Sequence, residues 1–204
     1  MILAGLLLAM NIFGWVIYEL LVDPGRNRFI NWAGVLSGVA LTGGAFIVAG
    51  TLSEDATVKK SPVLRWLEKL IPFGNLFFCI TIVGYGYTHF LYPDMILSLF
   101  PSWIPFQMFW TYFAGVALIL SGFAIVFHVK VKLAGILLGV LLLIFLVFIH
   151  IPLAIGDPWS QNAFQFIRVF GALAFSGTAF MIAGQSALKP VTAPLIRQSH
   201  TSMS

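Results

Sequence analysis

The sequence predicts an all-α, polytopic membrane helix bundle with six transmembrane helices, and three observations predict it. Of the 204 residues, 60% are hydrophobic and 9% charged, with a mean hydropathy of +0.99, far from soluble averages. The apolar residues gather in six runs at 1–22, 29–52, 72–92, 106–128, 131–152 and 162–184, each close to the roughly 20 residues that cross hydrocarbon as a helix. Lipid offers backbone N–H and C=O groups no partners, so spans of this length must be helical.

The first run has no basic residues before its apolar stretch, carries Glu19 near its end and lacks a small-residue cleavage site, so a retained helix is expected. Asp23-Pro24-Gly25 starts a turn into the second run. The longest polar stretch follows, Ser53 to Lys60, and then Ser61-Pro62, a helix start. Beyond it Val63, Trp66, Leu67 and Leu70 share one face while Arg65 and Lys69 share another. That spacing predicts a short helix lying in the membrane interface. Tyr92-Pro93-Asp94 stops the third run, and a proline-bracketed loop, Pro101-Ser102-Trp103-Ile104-Pro105, leads into the fourth. After Gly184 the chain turns polar and contains Pro190 and Pro194, which predicts a disordered tail at 185–204.

Charge sets the orientation. Six spans put Lys59, Lys60, Arg65, Lys69, Lys130, Lys132, Lys189 and Arg197 on one side, and Arg26 and Arg28 on the other. By the positive-inside rule both termini face the cytoplasm. The net charge of +4 is therefore a topology signal, and the basic residues are too few and too scattered to indicate nucleic acid. The lipid bilayer is the expected partner. The single cysteine, Cys79, excludes an intramolecular disulfide and reads as a small packing residue.

Residues 23–50 align without a gap on residues 157–184, with nine identities over 28 positions. Asp23-Pro24 falls on Asp157-Pro158, and Gly43, Ala45, Phe46, Ala49 and Gly50 fall on Gly177, Ala179, Phe180, Ala183 and Gly184. Leu3-Ala4-Gly5 resembles Leu133-Ala134-Gly135 at a slightly different offset. The first two helices thus read as a copy of the last two. The chain divides into a helix pair at 1–52, a cytoplasmic loop with an interfacial helix at 53–71, a four-helix unit at 72–184 and the tail. Small residues at Gly34/Gly38 and Gly135/Gly139 have the spacing that lets membrane helices approach closely.

Candidate chemistry rests on the polar residues within or beside the spans. His89 ends the third helix, His150 the fifth, and Arg168 is the one charge well inside a span. With Asp94 and Asp157 they occupy the outer half, where an ionisable group normally faces a partner or a wet cavity. The expectation is an outer pocket formed by His89, His150, Arg168, Asp157 and Asp94 between the third, fifth and sixth helices. A buried structural ion pair accounts for the same residues. Two histidines without a Cys or a Glu-x-x-His companion do not make a metal site. No phosphate-cradling loop or nucleophile triad is present, and the aromatics Tyr85, Tyr87, Tyr92, Trp103, Trp110, Tyr112 and Trp159 read as interfacial belts.

One stretch resembles a known family. Gly86-x-x-His89-Phe90-x-x-Pro93-Asp94, a gap, then Pro101-x-Trp103-x-Pro105 and a new membrane helix resemble the DoxX-like family of small bacterial membrane proteins, over about residues 72–184. Gly84, His89, Phe90, Pro93, Pro101 and Pro105 carry the match. The resemblance implies a bacterial inner-membrane protein, a quinone as cofactor and a redox protein as partner, because some relatives are subunits of a thiosulfate:quinone oxidoreductase. Many relatives carry an acid in the helix after the proline loop. Here the corresponding Gly115-Val-Ala-Leu118 is wholly apolar, which implies a non-catalytic chain if that acid serves catalysis. A small-molecule or ion carrier, and a structural membrane partner, are the alternative readings.

Overall fold

The apolar runs fold into helices that have almost no distinct polar face, so close packing rather than amphipathicity decides which side of each turns inward. The structure is a computed structural model that describes residues 1–21, 32–52, 61–156 and 164–188. Six helices are long and apolar enough to cross a membrane, and the described residues contain no strand. In chain order the helices are α1 (Ile2–Leu21), α2 (Ala33–Thr51), α3 (Pro62–Glu68), α4 (Gly74–Leu91), α5 (Pro93–Leu97), α6 (Gln107–Val126), α7 (Val131–Gly156) and α8 (Phe164–Leu188).

Five of the spans close a ring: α2 packs on α4, α4 on α6, α6 on α7, α7 on α8, and α8 back on α2. All five contribute to one interior cluster that includes Ala40, Phe78, Ile82, Leu118, Leu138, Phe175 and Ile182. α1 stands outside the ring against α2 and leaves Leu3, Leu6, Met10 and Phe13 exposed. Glycines set the close approaches. A Cβ on Gly43 of α2 would lie 2.7 Å from the Gly74 carbonyl, one on Gly86 of α4 2.8 Å from the Gly115 carbonyl, and one on Gly135 of α7 2.9 Å from the Ala179 carbonyl. Side chains at these positions would force the helix pairs apart. Of the spaced glycines, Gly34 and Gly38 receive Trp15 and Asn11 of α1, and Gly139 receives Phe180 of α8.

Both first helices of the repeated pairs contain a π-turn, at Met10–Val16 in α1 and at Leu146–His150 in α7. Shifted by the 130-residue offset that matches Leu3-Ala4-Gly5 to Leu133-Ala134-Gly135, the α1 turn falls on 140–146 and meets the one in α7 only at Leu146. The cause in α7 is local. Pro152 has no N–H, and in a regular helix its ring would meet the carbonyl four residues earlier. The π-turn relieves this, with the Ile151 N–H bonded five residues back to Leu146. In α1 the turn holds Asn11, buried, whose Nδ2 donates to the Val35 carbonyl at 2.8 Å.

A short helix is present at the expected place, as α3. Ser61 caps it by accepting from the Leu64 N–H, with Pro62 at its first position. Of the apolar face expected there, Leu67 is buried against Gly5 of α1, whereas Val63 and Trp66 are exposed. α8 runs to Leu188, four residues past its expected end, with Gln185 Nε2 donating to the Ile47 carbonyl at 3.2 Å. The two Asp-Pro turns, the polar stretch 53–60 and the tail beyond 188 lie outside the described residues.

Candidate functional site

The polar side chains inside the ring gather toward one end, the end that carries α5 and the proline loop. On α4, Phe78, Ile82, Tyr85 and His89 recur at helical spacing and line the interior face. The first two belong to the apolar cluster, so the stripe changes from apolar to polar at Tyr85. The Tyr85 ring packs on Phe175 of α8, centroids 6.2 Å apart, and Phe175 in turn meets Phe78 edge-on at 6.1 Å. These three rings form the floor of the polar region.

Above that floor the α2–α4 contact is hydrogen-bonded. Tyr85 Oη and Ser37 Oγ touch each other, and both aim at the Ala33 carbonyl, at 3.1 and 2.9 Å. One turn deeper, Thr81 Oγ1 donates to the Leu36 carbonyl at 2.7 Å. Carbonyls in a helix's first turns normally bond within the helix, and their second lone pair is what α4 uses.

Arg168, half-buried on α8, lies within electrostatic range of the Tyr85 hydroxyl and of His150. Its Nη1 donates to Gln165 Oε1 at 3.4 Å, and Gln165 is itself buried. His150 stands at the end of the α7 π-turn, and its Nδ1 is buried with no hydrogen-bond partner. A solvent-sealed imidazole nitrogen without a partner is costly and calls for an explanation. On the same two helices, Ile151, Ala154 and Ile155 of α7 and Phe166 and Val169 of α8 line an apolar cleft of about 300 Å³.

Of the residues expected to form the pocket, His150 and Arg168 lie within electrostatic range of each other. His89 is buried at the same end but is held separately: its Nδ1 donates to the Tyr85 carbonyl at 2.8 Å, and its Cβ sits against Gly115 of α6. That bond makes Nδ1 the protonated nitrogen of the neutral ring. Asp94 is exposed in the first turn of α5, outside the ring. Asp157 lies outside the described residues. Among the described residues no three of His, Cys, Asp and Glu converge as a metal site would require.

Sequence reasoning assigned Tyr85 to a belt and did not single out Ser37, Gln165 or Asn11. Tyr87, two residues on, is exposed, as a belt residue should be. The available signal for Tyr85 was its place on the stripe of Phe78 and Ile82. Gln165 and Asn11 were visible as amides within apolar runs. The proline loop borders α6 and α7 at this end: Gln107 Nε2 donates to the Pro101 carbonyl at 3.1 Å, and Trp103 packs edge-on to Phe148 of the π-turn at 6.2 Å. No family model, curated protein or solved structure matches the chain.

Proposed function

We propose that this multi-pass membrane protein is a DoxX-like subunit of a quinone-linked redox system in the bacterial inner membrane, and that it holds the quinone headgroup beside His150 and Arg168. The observation that carries the reading is the partnerless, buried Nδ1 of His150 within electrostatic range of a guanidinium, with an apolar cleft that begins one residue further along α7. A quinone carbonyl accepts hydrogen bonds, and imidazole and guanidinium N–H groups supply them. An isoprenoid tail is suited to the cleft lined by Ile151, Ile155 and Phe166. The residues described here bind and orient; electrons come from the partner protein. The motif around His89 and the proline loop supports the family assignment, and the loop charges support cytoplasmic termini.

The test is mass spectrometry of lipids that co-purify with the protein. The expected result is a quinone enriched to about one per chain, lost in His150→Ala and in Arg168→Gln while both variants remain folded. Wild-type protein without quinone enrichment over bulk membrane overturns the reading. Proteoliposome uptake of a small solute would support a carrier instead.

A further inference from the structure

We propose that the groove between the α6–α7 turn and the C-terminal end of α8 binds the phosphate headgroup of an anionic membrane lipid. It lies at the opposite end of the bundle from the His150 cluster and does not depend on what that cluster binds. The groove has a volume of about 630 Å³. His128, Lys130 and Lys132 supply its rim, Leu133 and Ile136 its apolar wall, and Ser186 of α8 its far side.

The turn that presents the rim is built tightly. His128 and Lys130 both have positive φ, 58° and 45°, a backbone region that non-glycine residues seldom occupy. Backbone bonds hold it there: the Val129 N–H donates to the Ala124 carbonyl at 2.8 Å, and the His128 N–H to the Ile125 carbonyl at 3.2 Å. The basic side chains therefore leave a fixed platform, not a loose loop. Lys130 also caps α7 without a side-chain acceptor for the first helical N–H groups, so the same rim presents further unsatisfied donors.

Charge and depth identify the ligand. None of α6, α7 and α8 contains an Asp or a Glu, so no acid on the walls neutralises the two lysines, and their counter-charge must come from outside these helices. The rim coincides with the start of the α7 span at Val131, the level of lipid headgroups. Leu133 and Ile136 continue the wall into the span from that rim. A phosphate diester with attached acyl chains satisfies rim and wall together, whereas a soluble anion satisfies the rim alone. Lysines near an anionic surface typically strengthen binding about fivefold each.

The experiment is native mass spectrometry of the full-length protein in mild detergent, titrated with phosphatidylglycerol, with phosphatidylcholine and with inorganic phosphate. Wild type is expected to retain phosphatidylglycerol in preference to phosphatidylcholine, and millimolar phosphate should not displace it. Lys132→Gln should weaken retention about fivefold, and Lys130→Gln with Lys132→Gln roughly thirtyfold. Arg65→Gln, on α3 at the same end, should leave retention unchanged. Should the double variant fail to fold, exposed Lys132 alone decides. Equal retention of both lipids, displacement by phosphate, an unchanged Lys132→Gln, or an equal loss in Arg65→Gln would each overturn the proposal.

Discussion

Tyr85 and Phe175 face each other across the bundle interior with ring centroids 6.2 Å apart and planes 33° apart. Their helices, α4 and α8, are not neighbours in the ring, since α2 stands between them. The pair therefore spans the interior, with apolar packing on one side and hydroxyls, imidazole and guanidinium on the other. Phe175→Ala removes the floor and leaves Phe78 and Tyr85 facing a cavity, whereas Tyr85→Phe removes one hydroxyl and leaves Ser37 on the Ala33 carbonyl. A hydrogen bond inside a membrane protein averages about 0.6 kcal/mol, and truncating a buried Phe costs about 3–5 kcal/mol in soluble cores. Thermal unfolding in detergent should show a small drop for Tyr85→Phe and a much larger one for Phe175→Ala. Equal drops would mean that the hydroxyl pair, not the ring stack, holds this level together.

Gly43 and Gly177 are counterparts in the repeat and have opposite surroundings. A Cβ on Gly43 would meet the backbone of α4, at the Gly74 carbonyl and at the Phe78 nitrogen, 2.7 and 2.9 Å away, while one on Gly177 meets nothing within 4 Å. Backbone cannot swing aside as a side chain can. Gly43→Ala should therefore destabilise by about 1–3 kcal/mol, the usual cost of overpacking, and Gly177→Ala should be neutral or slightly stabilising. Parallel melting curves of the two variants check this, and a neutral Gly43→Ala would show that α2 and α4 are less closely apposed.

Asn11 ties α1 to the ring through its bond to the Val35 carbonyl. Its side chain also fills the space over Gly38. Asn11→Leu keeps the branched outline with a larger volume but cannot donate, so it should loosen α1 while leaving the five-helix ring folded. Cross-linking with a short bifunctional thiol reagent between cysteines placed at Trp15, whose indole lies over Gly34 in the wild type, and at Gly34 should fall in yield. An unchanged yield would assign the attachment of α1 to packing alone.

The orientation is tested by labelling intact cells. A cysteine at Ser102, in the proline loop, should react with an impermeant reagent, and one in the 53–60 stretch should not. Cys79 is buried and should give little background. The reversed pattern would place the termini outside.

The six spans were legible because length and hydropathy suffice to find a membrane helix. The ring order was not, because helices that are apolar on all sides carry no periodic signal to say which face turns inward. Arg168 and His150 stood out as ionisable groups within apolar runs, and the half-buried guanidinium bonded to Gln165 fits the cost of exposing charge to lipid. Tyr85 was not legible as an interior residue, since a tyrosine near a helix end has the same composition signal as a belt. His89 was legible as a buried polar group, but its hydrogen bond to the Tyr85 carbonyl depends on α4 staying helical to Leu91. The π-turns escaped detection: Pro152 hinted at one, and nothing in the α1 sequence announces the other.

The π-turn in α7 also bears on how this chain tolerates length changes. A π-turn is one residue more than an α-helix needs, absorbed without breaking the rod. Deleting a single residue between Leu146 and His150 would leave a helix of ordinary pitch, apart from the strain at Pro152. The wide turn holds its extra residue within one revolution, so the shortened rod would keep everything past the deletion at nearly its present rotation. Ala154, now buried, would stay on its present face, and the Pro152 ring would again crowd the carbonyl four residues before it. In a lineage comparison, a one-residue gap at this place would therefore mark chains that keep the six spans and the faces of α7, with a residue other than proline at position 152.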